Sequence, residues 1–138
     1  MPEEALTFLN SERVGVFAVQ MTDGTTHAAT VHFAYAPALS KFIFLTSPDS
    51  KKVEPLNVGE TAASFVVGAD EEAMKTLQAN GTAVLEDADE IRNIYFAKFD
   101  GKKEKHPNDV FFTFTPTWWR YTDWTLPQGK TTFTSDKA

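Results

Sequence analysis

Short runs of β-branched and aromatic residues, each stopped by turn formers, constrain this chain more than any other feature. From Val14 to Met21 the sequence is apolar, and Thr22-Asp23-Gly24-Thr25 then supplies a turn in which glycine can take positive φ, a hairpin signal. The returning strand runs from about His27 to Tyr35, and after the loop Ala36-Pro37-Ala38 a third strand spans Lys41 to Thr46. Another covers Ala62 to Val67 and closes at Gly68-Ala69-Asp70. A longer one follows from about Ala73 to Leu85, with Gly81 as a bulge position, and Val110 to Thr115 and Trp118 to Thr122 give two more. Helical spacing is confined to the margins. Ala5, Phe8 and Leu9 predict a helix from about Glu3 to Ser11, and Asp87 or Asp89 is placed to cap a second carrying Ile91, Ile94, Tyr95 and Phe99. Between Ser47 and Gly59 the start falls either at Ser47, with Pro48 in the first turn, or at Ser50, and Pro55 predicts a short or kinked helix. The charged loop from Asp100 to Asp109 and the tail from Leu126 (about 126–138) are polar. Such an order predicts a mainly β fold, an antiparallel β-barrel with peripheral helices rather than a βαβ sheet, and the lack of a glycine-rich dinucleotide loop weakens a dinucleotide-binding reading further.

With 138 residues, 42% of them hydrophobic, and 12 Phe, the chain can bury one core, so a single domain over 1–138 is expected. It has no Cys, which removes disulfides, thiolate metal sites and a cysteine nucleophile, and makes the reducing cytoplasm the expected setting. A net charge of -6 argues against a general nucleic-acid binder. Met1-Pro2-Glu3-Glu4 lacks the basic start of a signal peptide, and no apolar run reaches the roughly 20 residues that span a bilayer, so no membrane partner is expected.

Chemistry concentrates at Phe42-Ile43-Phe44-Leu45-Thr46-Ser47-Pro48-Asp49-Ser50-Lys51-Lys52, where an apolar run gives way to hydroxyls and two cations beside a helix start. Open N–H groups, hydroxyls and an ammonium together suit a phosphate, although Ser50 could as well be a plain cap followed by solvated lysines. In Trp118-Trp119-Arg120-Tyr121-Thr122-Asp123-Trp124, strand alternation puts Trp118, Arg120 and Thr122 on one face and Trp119, Tyr121 and Asp123 on the other. At least one Trp therefore meets a surface or an interface, and a dimer interface is the plainer reading. His27 and His32 lie five apart and point to opposite faces, which excludes a two-His metal pair, and His106 reads as solvated.

Taken with the first hairpin at Val16-Phe17-Ala18-Val19 and Asp23-Gly24, the strand from His27 to Phe33, Gly81-Thr82-Ala83 and the ending Phe112-Thr113-Phe114-Thr115-Pro116, this junction resembles the flavin-binding split-barrel family related to pyridoxamine 5'-phosphate oxidase. The likeness covers about Leu6 to Trp124, with the spacing of Thr46, Ser50 and Lys52 its most specific element, and is nearest to short, general-stress-protein-like members. It implies a six-stranded antiparallel split barrel and a homodimer with FMN in clefts between the subunits. It also implies that Lys52 holds the phosphate with Leu45, Thr46, Ser47, Ser50 and Lys51 around it. By the same likeness, backbone at Thr30, Val31 and His32 borders the isoalloxazine, and Trp118, Arg120 or Trp124 flanks it from the second subunit. The chain departs from the family in two strands: Ala29 or Thr30 stands where a phosphate-gripping Arg is usual, and Thr76 stands near the position of a ring-contacting Gln. The Arg-rich C-terminal ending that grips pyridoxine phosphate is missing too, so that reaction is not expected. What remains is a flavin-dependent oxidoreductase acting on an unknown small molecule, or a non-catalytic binder of flavin, the deazaflavin F420 or haem, used for storage, sensing or stress response.

Overall fold

The computed structural model describes residues 1–68, 70–100, 108–125 and 129–137. Its elements are α1 (Glu3–Ser11), β1 (Val14–Gln20), β2 (Thr26–His32), β3 (Ala34–Ala36), β4 (Lys41–Thr46), a 3-10 helix at Lys51–Asn57, β5 (Thr61–Val67), β6 (Lys75–Leu85), α2 (Asp89–Lys98), β7 (Val110–Asp123), β8 (Thr131–Thr134) and a last 3-10 turn at Ser135–Lys137. All strands belong to one antiparallel sheet of order β2-β1-β5-β6-β7-β4-β3, with β8 paired to β7. Among the described residues no helix is long and apolar enough to cross a membrane.

Hydrogen bonding divides the sheet into eight strands where six were expected, for two physical reasons. The expected strand from His27 to Tyr35 breaks at Phe33, whose N–H donates to the Arg13 carbonyl at 3.1 Å. Before the break the chain pairs with β1, and after it with β4, so one stretch of backbone joins the two ends of the curled sheet. The tail expected to be merely polar supplies β8, which lies beside Arg120–Asp123. In the opposite sense, the two strands expected around Pro116 are one strand, β7. Asn80 faces Trp118 while Gly81 faces Pro116, so Thr117 is an extra, bulged residue.

Seven Phe rings fill the inside of the curl: Phe17, Phe33, Phe42, Phe44, Phe65, Phe112 and Phe114, all without solvent exposure. Phe44 stacks on Phe112 at 4.6 Å between centroids, and Phe42 meets Phe65 edge-on at 5.1 Å. The other face of β4 is covered as well, since Ile43 packs with Ile91 and Tyr95 of α2 and with Phe99 just past its end. Burial on both faces explains why β4 reads as an unbroken apolar run. At α2 the expected acidic cap is missing: Ala88 occupies the N-cap, and Asp87 instead binds Arg92 through Nε at 2.6 Å and Nη2 at 2.8 Å. The Lys98 amine then ties α2 to α1 by donating to the carbonyls of Leu9 and Glu12 and lying 4.2 Å from the Phe33 ring centre. His106 lies outside the described residues.

Candidate cofactor site

β4 delivers Thr46 at the end of the row Phe42, Phe44, Thr46, and the chain then turns before the 3-10 helix begins. The turn is tied by Ser50 N–H to the Ser47 carbonyl at 3.2 Å, by Ser50 Oγ–H to the same carbonyl at 2.9 Å and by Asp49 N–H to Ser47 Oγ at 3.3 Å. The Thr46 and Ser50 hydroxyls are 3.4 Å apart. Ser50 therefore starts the helix, although its hydroxyl folds back on the turn and caps nothing. The helix that follows has only seven residues and is of the tight 3-10 type, so its aligned dipoles supply little charge, and the side chains must carry the attraction for an anion.

Of the two lysines that open this helix, Lys52 is the buried one. It is 8% exposed, sits among the buried Val53, Pro55 and Leu56, and has no carboxylate partner among the described residues. Burial pushes its ammonium below the ordinary lysine value. A desolvated cation without a counter-ion costs stability unless a bound anion completes it. Its neighbour Lys51 is exposed and reaches toward the β1–β2 turn. There the Asp23 carboxyl is held below its usual value, first by hydrogen bonds from Thr25 and then by the Lys51 charge. The 3-10 helix packs against β1, β2 and β6, so Lys52 arises on the element that covers the strand bearing Ala29 and Thr30.

Along β2 the three residues read as ring-lining are divided. Val31 turns its side chain into the core, whereas Thr30 and His32 face outward, and His32 meets the Phe99 ring edge-on at 5.6 Å. β2 ends the hydrogen-bonded order, so alternate N–H and C=O groups along it point away from β1, which is the strand edge a flat heterocycle can use. Leu45 packs toward α2 and not toward the turn. Trp118 and Arg120 share the outer face with Thr30, through the cross-strand rows Ala28–Ala18–Ser64–Asn80–Trp118 and Thr30–Val16–Val66–Gln78–Arg120. Four strand spacings separate them from Thr30, about 19 Å, so a single chain does not bring them together. Trp124 is farther still, beside Met74 past the end of β7.

Sequence reasoning missed the outer face itself. Val14, Val16 and Val66 are 45%, 37% and 39% exposed, and the small residues Ala18, Ser64, Asn80 and Gly81 line a groove next to them. Its signal was available: Val14 and Val16 alternate with the buried Gly15 and Phe17, so β1 is apolar on both faces.

Comparison with known proteins agrees with this geometry. The sequence profile of the pyridoxamine 5'-phosphate oxidase family matches residues 1–123. No curated protein matches the chain by sequence. A haem-binding protein from Mycobacterium smegmatis superposes with a TM-score of 0.74 at 18% identity, covering 97% of this chain and 57% of its own. The haem storage protein of Vibrio cholerae gives 0.65 at 18% identity, covering 83% of this chain and 89% of the other. A Clostridium acetobutylicum protein related to general stress protein 26 of Bacillus subtilis gives 0.66 at 16% identity, with 97% and 94% covered. At these identities the solved structures share the fold alone, but the profile spans nearly the whole chain and its strands close as a split barrel must: the chain belongs to the pyridoxamine 5'-phosphate oxidase family.

Proposed function

We propose that this protein is an FMN-binding, flavin-dependent oxidoreductase acting on a small molecule as a homodimer, with the cofactor phosphate held by Lys52 where β4 meets the 3-10 helix. The observation that carries the reading is the buried Lys52, without an ion-pair partner among the described residues, two positions along the chain from Ser50, whose hydroxyl lies 3.4 Å from that of Thr46, a donor set suited to a phosphate dianion. Without an Arg at Ala29 or Thr30, that ammonium is the principal charge offered to the phosphate. FMN, when bound, supplies hydride or single-electron transfer. The chain's own part is to fix the phosphate, to offer the β2 edge at Thr30–His32 to the ring, and to exclude water. The exposed valines of β1 and β5 support a second copy docking on the outer face. Such a copy would bring its Trp118 and Arg120 toward the Thr30 edge that its own chain leaves distant. A chain without cysteine suits the reducing cytoplasm.

Fluorescence titration with FMN tests the reading. Wild type should quench FMN saturably, and Lys52→Met, which keeps the aliphatic stem packed, should weaken binding at least tenfold while leaving the unfolding midpoint unchanged or raised. Retention equal to wild type would place the phosphate elsewhere. Reduction of the bound flavin by NADPH then separates an enzyme from a carrier. A second reading, haem binding, is favoured by the haem-associated proteins of the same fold and by the outward-facing His32 next to the proposed ring edge. A Soret band that appears with hemin and is lost in His32→Ala, together with no FMN binding, would select it.

A further inference from the structure

The end of the chain is fastened to the stretch of β7 that carries Trp118 and Arg120. β4 pairs with β7 from Val110 to Phe114 and stops, and β8 takes up pairing from Arg120 to Asp123. Just past that ladder, Ser135 Oγ accepts from the Trp119 N–H at 3.0 Å. Covering an open strand edge has a plain explanation, and backbone pairing is all that it requires. One side chain of β8 does something that covering does not require.

Thr134 stands directly opposite Arg120 and so shares its outer face, extending the row Thr30–Val16–Val66–Gln78–Arg120 by one strand. Its Oγ1 accepts from Arg120 Nε at 3.4 Å. Thr134 is 7% exposed, and a β-branched side chain has little freedom at χ1, so the hydroxyl is a fixed point. Arg120 is exposed, yet it is held twice: Nε faces Thr134, and the guanidinium carbon lies 5.2 Å from the Trp118 ring centre. An arginine on an open surface samples many rotamers, and ordering it on binding costs affinity unless the fold has already done so. The N–H groups on its two Nη atoms enter no hydrogen bond or ion pair among the described residues, where the ion pairs are Lys41–Glu86 and Arg92–Asp87. Neither the row through Arg120 nor the row through Trp118 contains another charged residue, so the orientation of Arg120 decides where positive charge points on this face.

We propose that Thr134 is a positioning residue for the cofactor site, holding Arg120 against Trp118 in the orientation in which the guanidinium meets the flavin ring bound by a second copy. The inference rests on the reading that Arg120 flanks that ring. Thr134 touches no ligand itself and acts through Arg120 alone. Fluorescence titration with FMN of Thr134→Val, Thr134→Ser, Arg120→Ala and the double variant Thr134→Val/Arg120→Ala tests it. Valine keeps the β-branched shape and the burial while removing the acceptor, so light scattering and the unfolding midpoint should stay as in wild type. Arg120→Ala should weaken FMN about tenfold and Thr134→Val about threefold, with serine restoring most of the loss. In the double variant the valine should add nothing, because its effect passes through the missing guanidinium. A threefold loss that persists in the Arg120→Ala background would assign Thr134 to the fold and overturn the proposal. Wild-type affinity in Thr134→Val, or in Arg120→Ala, would overturn it too, while weakening by Lys52→Met left the phosphate reading standing. Wild type that binds no FMN would remove that reading and this inference together.

Discussion

At the scale of single residues, two lysines held out of water shape the chemistry of this protein in different ways. Among the described residues Lys52 has no ion-pair partner, whereas Lys98 is used up by the carbonyls at the end of α1 and by the faces of Phe33 and Phe99. Burial and, secondarily, the nearby Arg13 charge push the Lys98 amine down to about 8 from 10.5. Above that lower value the folded state gives up the proton while the unfolded chain keeps it, so the unfolded state binds more protons and stability rises with pH. The rise should begin near pH 8 and end near pH 10, where tyrosines ionise in the unfolded chain but Tyr95, raised to about 12 by burial, does not, which reverses the slope. The amplitude should be on the order of 1 kcal/mol, reduced by solvent from what a fully desolvated amine would give. Urea unfolding across this range checks it. Lys98→Met should flatten the slope, and an unaltered slope would assign the effect to another group.

At the scale of elements, Gly81 decides whether β6 and β7 can lie together. A Cβ at Gly81 would stand 2.0 Å from the Thr115 carbonyl oxygen and 2.8 Å from the Pro116 Cα, both backbone atoms with nowhere to go. Gly81→Ala should therefore cost at least about 2 kcal/mol by chemical denaturation, well beyond what a change of propensity gives in a strand. A loss under about 0.5 kcal/mol would mean that the bulge yields. Here the sequence was informative, because an isolated glycine in a strand pattern marks a bulge or a close approach. It was less so one strand later. Pro116 looked like a break, but a strand can pass a proline where the ladder is already interrupted, and Thr117 bulges beside it. The two helices were legible from Phe8, Leu9, Ile91 and Tyr95, whose spacing matches their burial. The cap of α2 was not, since Asp87 bonds a side chain five residues on in preference to the backbone. β8 gave no signal because its threonines are polar and become a strand only through the backbone partners β7 offers.

For the molecule as a whole, the apolar outer face is the feature that a single chain leaves unsettled. Exposed Val14, Val16 and Val66 with the groove beside them form a patch that self-association would bury. Val16→Glu places a charge at the centre of the row Thr30–Val16–Val66 and should shift the protein to monomer in light scattering, with loss of FMN retention if the ring site spans two copies. A dimer that survives the change would move the interface elsewhere. Much of this architecture could be read in advance from hairpin turns and alternation, and the junction around Thr46 and Lys52 from its abrupt change of chemistry. The partition of Thr30, Val31 and His32 between outside and inside could not, because it depends on where the strand bends.

That bend has an evolutionary corollary. Only Phe33 separates the part of the chain that lies along β1 from the part that lies along β4, and both partners are matched residue for residue on either side of it. Adding or deleting one amino acid there would invert inward and outward side chains on one flank, sending His32 or Tyr35 to the wrong side. Length variation among descendants of this sequence should accordingly collect in the 37–40 turn and leave the 26–36 segment at constant length.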